Sequence, residues 1–305
     1  MRFFHQEMCK IQRTRKRIFT AVSANKVKAI IQIFRPELPF SAGVCVLLGE
    51  VIALGEFPSL RQAVLGFISV FFISGSALVL NDYFDLEVDR VNMPERPLPA
   101  GVLSPFEALV LTGAGIAIGF TTSLLLSVPA FVFCVLFCAI GILYNWKFKE
   151  SGLPGNLMVS FSVGATFLFG GIAVGEPWNK IVWCFSLIGF LIDLGEEIAG
   201  DAMDIEGDRK RGSRSIAIKM GRKFALTVSS VLFGIVVLIS FIPVLFDWLG
   251  ASYLVMILIM DLLIIVFAIR LVRSKTSQEG RASMRGIYLG ALVGMLAFLM
   301  GQSLR

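Results

Sequence analysis

Long apolar stretches separated by short charged segments dominate the order of hydrophobic and polar residues in this 305-residue chain. A helix that crosses a membrane needs about 20 mostly apolar residues, and nine stretches meet that requirement. They are residues 38–55, 63–81, 105–127, 129–146, 156–174, 180–196, 223–246, 251–269 and 286–304. Pro129 suits the first turn of a new helix, so we predict two spans within residues 105–146 instead of one kinked helix.

The composition agrees with this pattern. Hydrophobic residues make up 56% of the chain and charged residues 16%, whereas about a quarter of the residues of a soluble domain are charged. A soluble enzyme, a disordered chain and a disulfide-stapled secreted module are therefore excluded. We predict an all-α, polytopic membrane protein with nine transmembrane helices.

Lysine and arginine are distributed unevenly between the two sides that nine spans define. Residues 1–35 and the loops on the same side hold 25 of the 28 basic residues. Cytoplasmic loops carry such an excess, so we predict a basic cytoplasmic N-terminal segment on a multi-pass plasma-membrane protein. Because these residues flank spans, we expect no nucleic-acid partner. The first apolar run begins only after a long basic stretch, so we expect no cleavable signal peptide. Residues 26–34 fit either an amphipathic helix on anionic headgroups or a plain basic flank.

The acidic residues concentrate at the cytoplasmic ends of the second and sixth predicted spans. Each place holds three aspartates at positions i, i+3 and i+7, namely Asp82, Asp85 and Asp89, then Asp201, Asp204 and Asp208. On a helix this spacing places the three carboxylates on one face. Four spans separate the two groups, and an even number of crossings returns the chain to the same side. We therefore predict two acidic stripes that can face each other.

Such stripes need a compensating charge. Carboxylates one turn apart repel each other, and negative charge is disfavoured at the C-terminal end of a helix. Mg²⁺ takes oxygen ligands, and it commonly shares them between a few carboxylates and the phosphates of a substrate. The pattern thus indicates a Mg²⁺-bridged diphosphate, the alternative being two solvated acidic helix ends.

Basic and tyrosyl side chains lie close to both stripes in the sequence. Arginine and lysine can bind the phosphate oxygens that a metal leaves free, although each one alone also fits an orientation signal. The candidates for binding a diphosphate are Arg35, Arg90, Arg96, Tyr144, Lys147, Lys149, Lys210 and Arg214.

These motifs resemble the UbiA superfamily of intramembrane prenyltransferases. The resemblance covers nearly the whole chain, and its motifs are Asn81-Asp82-x-x-Asp85-x-x-x-Asp89, Arg96-Pro97-Leu98, and Asp204-x-x-x-Asp208 followed by Lys210 and Gly212. It implies one domain over residues 1–305, a bundle of nine helices around a central cavity that opens sideways to membrane lipid, and cytoplasmic loops 82–104 and 197–222 that cap the active site.

The resemblance also implies roles for individual residues. Asp82, Asp85, Asp204 and Asp208 would be catalytic. The ligands of Mg²⁺ would come from Asn81, Asp82, Asp85, Asp89, Glu197, Asp201, Asp204 and Asp208. Either Lys147 or Lys149 could correspond to the lysine of a Tyr/Lys motif that begins at Tyr144, because the spacing fits both.

The donor that this family uses is a polyprenyl diphosphate, and geranylgeranyl diphosphate is the expected one here. Residues 195–208 most resemble the archaeal geranylgeranylglyceryl-phosphate geranylgeranyltransferases, so the expected acceptor is the hydroxyl of geranylgeranylglyceryl phosphate. Two alternatives stay open. One is a prenyltransferase for aromatic quinone precursors such as 4-hydroxybenzoate or dihydroxynaphthoate, and the other is an ion-coupled transporter.

Overall fold

The computed structural model describes residues 25–303, apart from the side chains of residues 210, 211 and 297–303. Within this part of the chain every regular element is a helix. The helices are α1 (25–34), α2 (Glu37–Leu54), α3 (Leu60–Phe84), α4 (Leu86–Asn92), α5 (Pro105–Leu126), α6 (Val128–Leu143), α7 (Leu153–Ala173), α8 (Lys180–Met203), α9 (Ile205–Arg211), α10 (Ile216–Met220), α11 (Arg222–Ser240), α12 (Ile242–Leu245), α13 (Ala251–Arg273) and α14 (Ser277–Ser303). A π-helical turn, Tyr144–Phe148, continues α6.

Seven helical segments of the described chain are long and apolar enough to cross a membrane, so the protein is an integral membrane protein. They are α2, α3, α5, α6 with its π turn, α7, α11 with α12, and α13, and each coincides with a predicted span. α8 and α14 cover the sixth and ninth predicted spans. The second half of α8 carries Asp193, Glu196, Glu197 and Asp201 and is therefore far less apolar. Nine spans and a cytoplasmic N-terminus stay predictions.

Serine caps explain several helix starts. The Ser59 hydroxyl accepts from the Gln62 N–H while Gln62 accepts from the Ser59 N–H, and Ser104 pairs with Glu107 in the same way. This reciprocal arrangement satisfies two backbone donors that a helix start leaves unpaired. Ser127 accepts from the Ala130 N–H over 3.2 Å, which confirms that a new helix begins between the third and fourth predicted spans.

The packing of α8 determines where its acidic end lies. α8 contacts α7, α11 and α14, and one apolar cluster joins it to α11, α13 and α14 through Ile198, Leu226, Ile264 and Ile287, each at most 1% exposed. A second cluster joins α8 to α2, α7 and α13. Close packing, not removal from water, stabilises such contacts between helices in a membrane, and these contacts hold α8 from several sides.

Helix α1 contains residues 26–34, the segment for which the sequence allows either an amphipathic helix on headgroups or a plain basic flank. Ala29 and Ile33, one turn apart, are buried against Val79 of α3 and Leu98 and Leu103 of the loop before α5. The opposite face is exposed and includes apolar side chains. One face of α1 is therefore a protein contact, and its binding to headgroups through the other face stays a prediction.

Glycines allow α2 and α7 to approach backbone to backbone. A Cβ on Gly49 of α2 would collide with the Phe167 carbonyl of α7, and a Cβ on Gly170 of α7 would collide with the backbone of Val46 and Glu50. Small residues at such crossings are typical of helices that associate within membranes.

We expect Gly170→Ala to lower the free energy of unfolding by about 1–3 kcal/mol, the usual effect of forcing atoms into a packed contact. Thermal unfolding of the purified protein in detergent measures this. Gly113→Ala is the matched control, because a Cβ there meets nothing within 4 Å. Equal midpoints for the two variants would contradict the proposed backbone contact.

Candidate active site

The two acidic segments, residues 81–89 and 197–208, are each interrupted at an aspartate, Asp85 in the first and Asp204 in the second. Asp85 ends α3 and precedes the seven-residue α4, and Asp204 ends α8 and precedes the seven-residue α9. The Asp204 backbone has φ −127° and ψ 31°, which is not helical. The prediction of three carboxylates along one continuous helix is therefore wrong in detail. Each segment consists of the end of a long helix, a capping aspartate and a short helix.

The first segment buries two of its carboxylates beside arginine. Asp82 is 3% exposed and Asp89 is 6% exposed. Arg96 Nη1 lies 2.6 Å from Asp89 Oδ2 and 3.5 Å from Asp82 Oδ1, and Arg35 forms an ion pair with Asp82. A buried carboxylate without a partner would be strongly destabilising, so these arginines are required where the acids are buried.

The backbone of Arg35 has an unusual conformation. Its φ is 44°, in the left-handed region that costs a non-glycine residue about 1–3 kcal/mol. Arg35 joins α1 to α2, and this conformation accompanies the ion pair of its side chain with Asp82. A backbone conformation of this cost persists only where surrounding contacts hold it, and the ion pair with Asp82 is one such contact.

The arginine after α4 is held electrostatically. Burial alone lowers the pKa of Arg96, but its hydrogen bond to Asp89 and the nearby charge of Asp82 outweigh burial, so the pKa is raised above its ordinary value. The guanidinium therefore stays charged at every physiological pH, and it cross-links two carboxylates of the first segment.

The π turn selects between two candidate lysines. Its Lys149 N–H donates to the Tyr144 carbonyl, five residues back, over 3.0 Å. Lys149 forms an ion pair with Asp85, whereas Lys147 is exposed. π turns occur frequently at functional sites, and here the wider turn determines which lysine reaches the acidic segment.

The predicted ligand Asn81 lies in the same cluster. It donates to Asn145 Oδ1 over 2.8 Å, and Asn145 in turn donates to the Gly141 carbonyl over 3.0 Å. With its amide turned the other way, the Asn81 side-chain nitrogen would donate to Asp85 Oδ2 over 3.2 Å and its oxygen would accept from Lys149 Nζ over 2.9 Å. In either orientation Asn81 belongs to the polar cluster around Asp85 and Lys149.

Tyr144 is within electrostatic reach of both acidic segments. The carboxylates close enough to act on its hydroxyl electrostatically include Asp85 of the first segment and Glu197 and Asp201 of α8. Glu197 is likewise within electrostatic reach of Asp201 and Asp208. The structure thus brings the two segments to one place, as the even number of crossings predicts, while Asp204 is exposed at the end of α8.

Two predicted diphosphate-binding residues, Arg90 and Arg214, are not part of this cluster in the described structure. Arg90 forms an exposed ion pair with Glu87 over 2.7 Å. The Arg214 side chain is exposed, although its backbone N–H donates to the Glu150 carbonyl over 3.0 Å and so ties the loop after α9 to the π turn. The Lys210 side chain lies outside the described residues.

Three polar residues of the site were not predicted from the sequence. Asn156 of α7 donates to Asp201 Oδ2 over 2.9 Å, and Asn145 holds Asn81. Asp193 lies two turns before Asp201 on α8, and its Oδ2 is buried without a hydrogen-bond partner among the described residues. All three are polar residues inside apolar spans, and such residues are functional candidates by default.

The donor set fits Mg²⁺ in its chemistry. The two segments supply carboxylate and amide oxygens, with no sulfur or imidazole among the residues named above, and Mg²⁺ requires few protein ligands when phosphate oxygens complete its shell. Within residues 25–303 no three acidic, histidine or cysteine side chains converge on one metal position. The first segment's carboxylates instead contact Arg35, Arg96 and Lys149.

A bundle of membrane helices with two interrupted acidic segments at one end is the arrangement of an intramembrane prenyltransferase. The chain belongs to the UbiA prenyltransferase family, whose model matches residues 42–301. It is therefore an enzyme that transfers prenyl groups, and the transporter alternative is excluded.

Relatives and solved structures agree with this family. A digeranylgeranylglyceryl phosphate synthase of Thermococcus kodakarensis is 34% identical over 278 residues, which cover 91% of this chain and 99% of that protein. A solved structure described as digeranylgeranylglyceryl phosphate synthase in membranes is 30% identical, has a TM-score of 0.79, and covers 91% of this chain and 98% of its own. A UbiA homologue from Archaeoglobus fulgidus, bound to GPP and Mg²⁺, shares the fold with 21% identity, a TM-score of 0.66, and coverage of 90% and 98%.

We expect Lys149→Met to lower prenyl transfer about 10- to 100-fold, the effect of losing a hydrogen bond between charged groups. Lys147→Met is the matched control, because Lys147 is exposed two residues away, and it should stay within about twofold of wild type, as surface substitutions usually do. Initial rates at saturating donor measure both. A larger loss in Lys147→Met would show that the π turn does not select the lysine.

We expect Asn156→Ala to weaken the apparent affinity for Mg²⁺ about 10- to 100-fold, as the loss of a residue that orients a metal ligand does. Its amide holds Asp201. The measurement is transfer rate against Mg²⁺ concentration, with Ser162→Ala as the control, because the Ser162 hydroxyl donates only within α7. An unchanged Mg²⁺ dependence in Asn156→Ala would remove Asp201 from the ligand set.

Proposed function

We propose that this enzyme transfers a geranylgeranyl group from geranylgeranyl diphosphate to the hydroxyl of geranylgeranylglyceryl phosphate, with Mg²⁺, in the synthesis of an ether-linked membrane phospholipid. The observation that carries this proposal is the site around Tyr144, where two acidic segments meet and three cations, Arg35, Arg96 and Lys149, already contact the carboxylates. Such a combination suits a ligand that brings both a divalent cation and an anionic diphosphate.

The residues divide into two roles in this proposal. Mg²⁺ would be held by oxygens of the two segments, drawn from Asn81, Asp82, Asp85, Asp89, Glu197, Asp201, Asp204 and Asp208. When bound, it supplies charge stabilisation to the departing diphosphate. Arg35, Arg96 and Lys149 would bind diphosphate oxygens, which accept charge-assisted hydrogen bonds.

The reaction follows from this arrangement of charges. The bond between the allylic carbon and the diphosphate oxygen breaks, and its electron pair leaves with the diphosphate. The acceptor hydroxyl oxygen then forms the ether bond with the allylic carbon, and its proton passes to the departing diphosphate. Positioned positive charge at the leaving oxygens lowers the barrier to this step, and the apolar helices below the site exclude water that would otherwise capture the allylic cation.

The choice of acceptor is supported by the relatives. Eight curated relatives at 30–34% identity, each matched over at least 97% of its length, are digeranylgeranylglyceryl phosphate synthases. An acceptor that carries a phosphate also suits the basic residues beyond α9, where Arg214 and Lys219 are exposed.

The membrane arrangement belongs to the same proposal. α8 and α14 would complete nine spans around a central cavity, within a single domain. The acidic segments would face the cytoplasm of a plasma-membrane protein, with loops 82–104 and 197–222 covering the site. The concentration of 25 of the 28 basic residues on one side supports this orientation.

The decisive experiment is an acceptor panel. Purified protein with Mg²⁺ and geranylgeranyl diphosphate is given geranylgeranylglyceryl phosphate, 4-hydroxybenzoate or dihydroxynaphthoate, and products are identified by mass. We expect the diether phosphate alone. Product from an aromatic acceptor only would overturn the ether-lipid assignment in favour of the quinone-precursor alternative.

A double variant, Asp82→Asn with Asp204→Asn, is the control for the site. It takes one carboxylate from each segment, so transfer should fall about 100-fold or more, because stabilisation of the leaving group is lost. Insertion into the membrane and the unfolding midpoint should be checked in parallel. Wild-type turnover by this variant would show that the chemistry takes place elsewhere.

A further inference from the structure

A lateral groove between α11 and α13 is separate from the acidic site. Its volume is about 330 Å³, and its lining includes Phe233 and Gly234 of α11 and Ile264, Ile265 and Ile269 of α13. Phe233 and Ile264 are fully buried and form its floor, whereas Ile265 and Ile269 are exposed and form its wall. Below it the Ser230 hydroxyl donates to the Ala268 carbonyl over 3.2 Å and ties the two helices together.

The groove begins at the membrane side where the acidic segments lie. Arg273 lines its outer end and is the last residue of α13. The neighbouring Ser274 carbonyl accepts from Arg222, at the start of α11, over 2.6 Å. Ser277 donates to the Met203 carbonyl, at the end of α8, over 2.9 Å. These contacts place Arg273 level with the end of α8.

The groove is half a bilayer long. From Arg273 to Ile264 is nine residues, which is about 14 Å of helix at 1.5 Å per residue. The hydrocarbon core of one leaflet is about 15 Å thick, half of the usual 30 Å. A chain from a lipid of that leaflet would therefore fill the groove from its rim to the centre of the membrane.

The rim of the groove has the charge that an anionic headgroup needs. The Arg222 guanidinium already donates to the carbonyls of Ser274 and Thr276. The guanidinium of Arg270 lies 5.4 Å from the centre of the Phe267 ring. Arg273 is exposed and takes part in none of the ion pairs found within the described chain. An arginine at this level attracts anionic lipids.

We propose that this groove binds one chain of an anionic glycerophospholipid of the surrounding leaflet, with its phosphate on Arg273. The small residues Gly234 and Ala268 would also suit the close approach of another membrane helix. A helix, however, needs a contact along the whole span, and this groove stops at mid-membrane with a cation at its rim.

The experiment compares binding of phosphatidylglycerol and phosphatidylcholine to the delipidated full-length protein, by native mass spectrometry and by the shift of the unfolding midpoint. We expect wild type to retain one phosphatidylglycerol preferentially. Gly234→Phe should lose this molecule and the midpoint shift, because its ring fills the groove. Arg273→Gln should reduce the preference for phosphatidylglycerol about fivefold, the factor that corresponds to one basic residue at an anionic surface.

Gly113→Phe is the matched control, since Gly113 of α5 and Gly234 both have open space around an added Cβ. It should bind phosphatidylglycerol as wild type does. Retention of the same lipid by Gly234→Phe would overturn the proposal, as would equal binding of the two lipids by wild type. Loss of self-association in Gly234→Phe, without loss of lipid, would assign the groove to a second copy of the chain and would also overturn it.

Discussion

The buried carboxylate of Asp82 is the point at which three separate segments of the chain meet. It belongs to α3, and its partners are Arg35 before α2 and Arg96 after α4. An unpaired charge at 3% exposure would be strongly destabilising, so both arginines must be brought to it. The positive φ of Arg35 and the loop between α4 and α5 that carries Arg96 accompany these ion pairs.

An apolar cluster supports these ion pairs from below. Ala29 and Ile33 of α1 pack with Val79 of α3 and with Leu98 and Leu103 of the loop that carries Arg96. Apolar burial contributes stability without directing the side chains, and the ion pairs supply the direction. The apolar cluster and the ion pairs together therefore place Arg35 and Arg96 at the same carboxylate.

The helix positions could be predicted from the sequence because the membrane dictates them. An apolar run bounded by charges has one stable conformation in a bilayer, since every backbone group must be satisfied internally. The predicted spans 105–127 and 251–269 accordingly correspond to Pro105–Leu126 and Ala251–Arg273. The approach of the two acidic segments followed from counting crossings, and the electrostatic neighbours of Tyr144 agree with it.

The details of the site could not be predicted, because they depend on departures from regular helix. Regular spacing favours neither Lys147 nor Lys149, and only the π turn brings Lys149 to Asp85. The breaks at Asp85 and Asp204 are equally local. Asn156 of α7 donates to Asp201 of α8. This contact depends on how the two helices pack together, which the spacing of residues along either helix does not reveal.

The ion pairs of the first segment have a consequence for how a ligand arrives. Arg35, Arg96 and Lys149 are each already neutralised by a carboxylate. Under the proposed function, a metal-bound diphosphate would therefore exchange partners instead of adding charge: its cation would bind the acids, and its anion would bind the freed arginines and lysine. Such an exchange requires both halves together. A lone diphosphate would meet carboxylates, and a lone divalent cation would meet ammonium and guanidinium groups, so this arrangement of charges would disfavour either half alone.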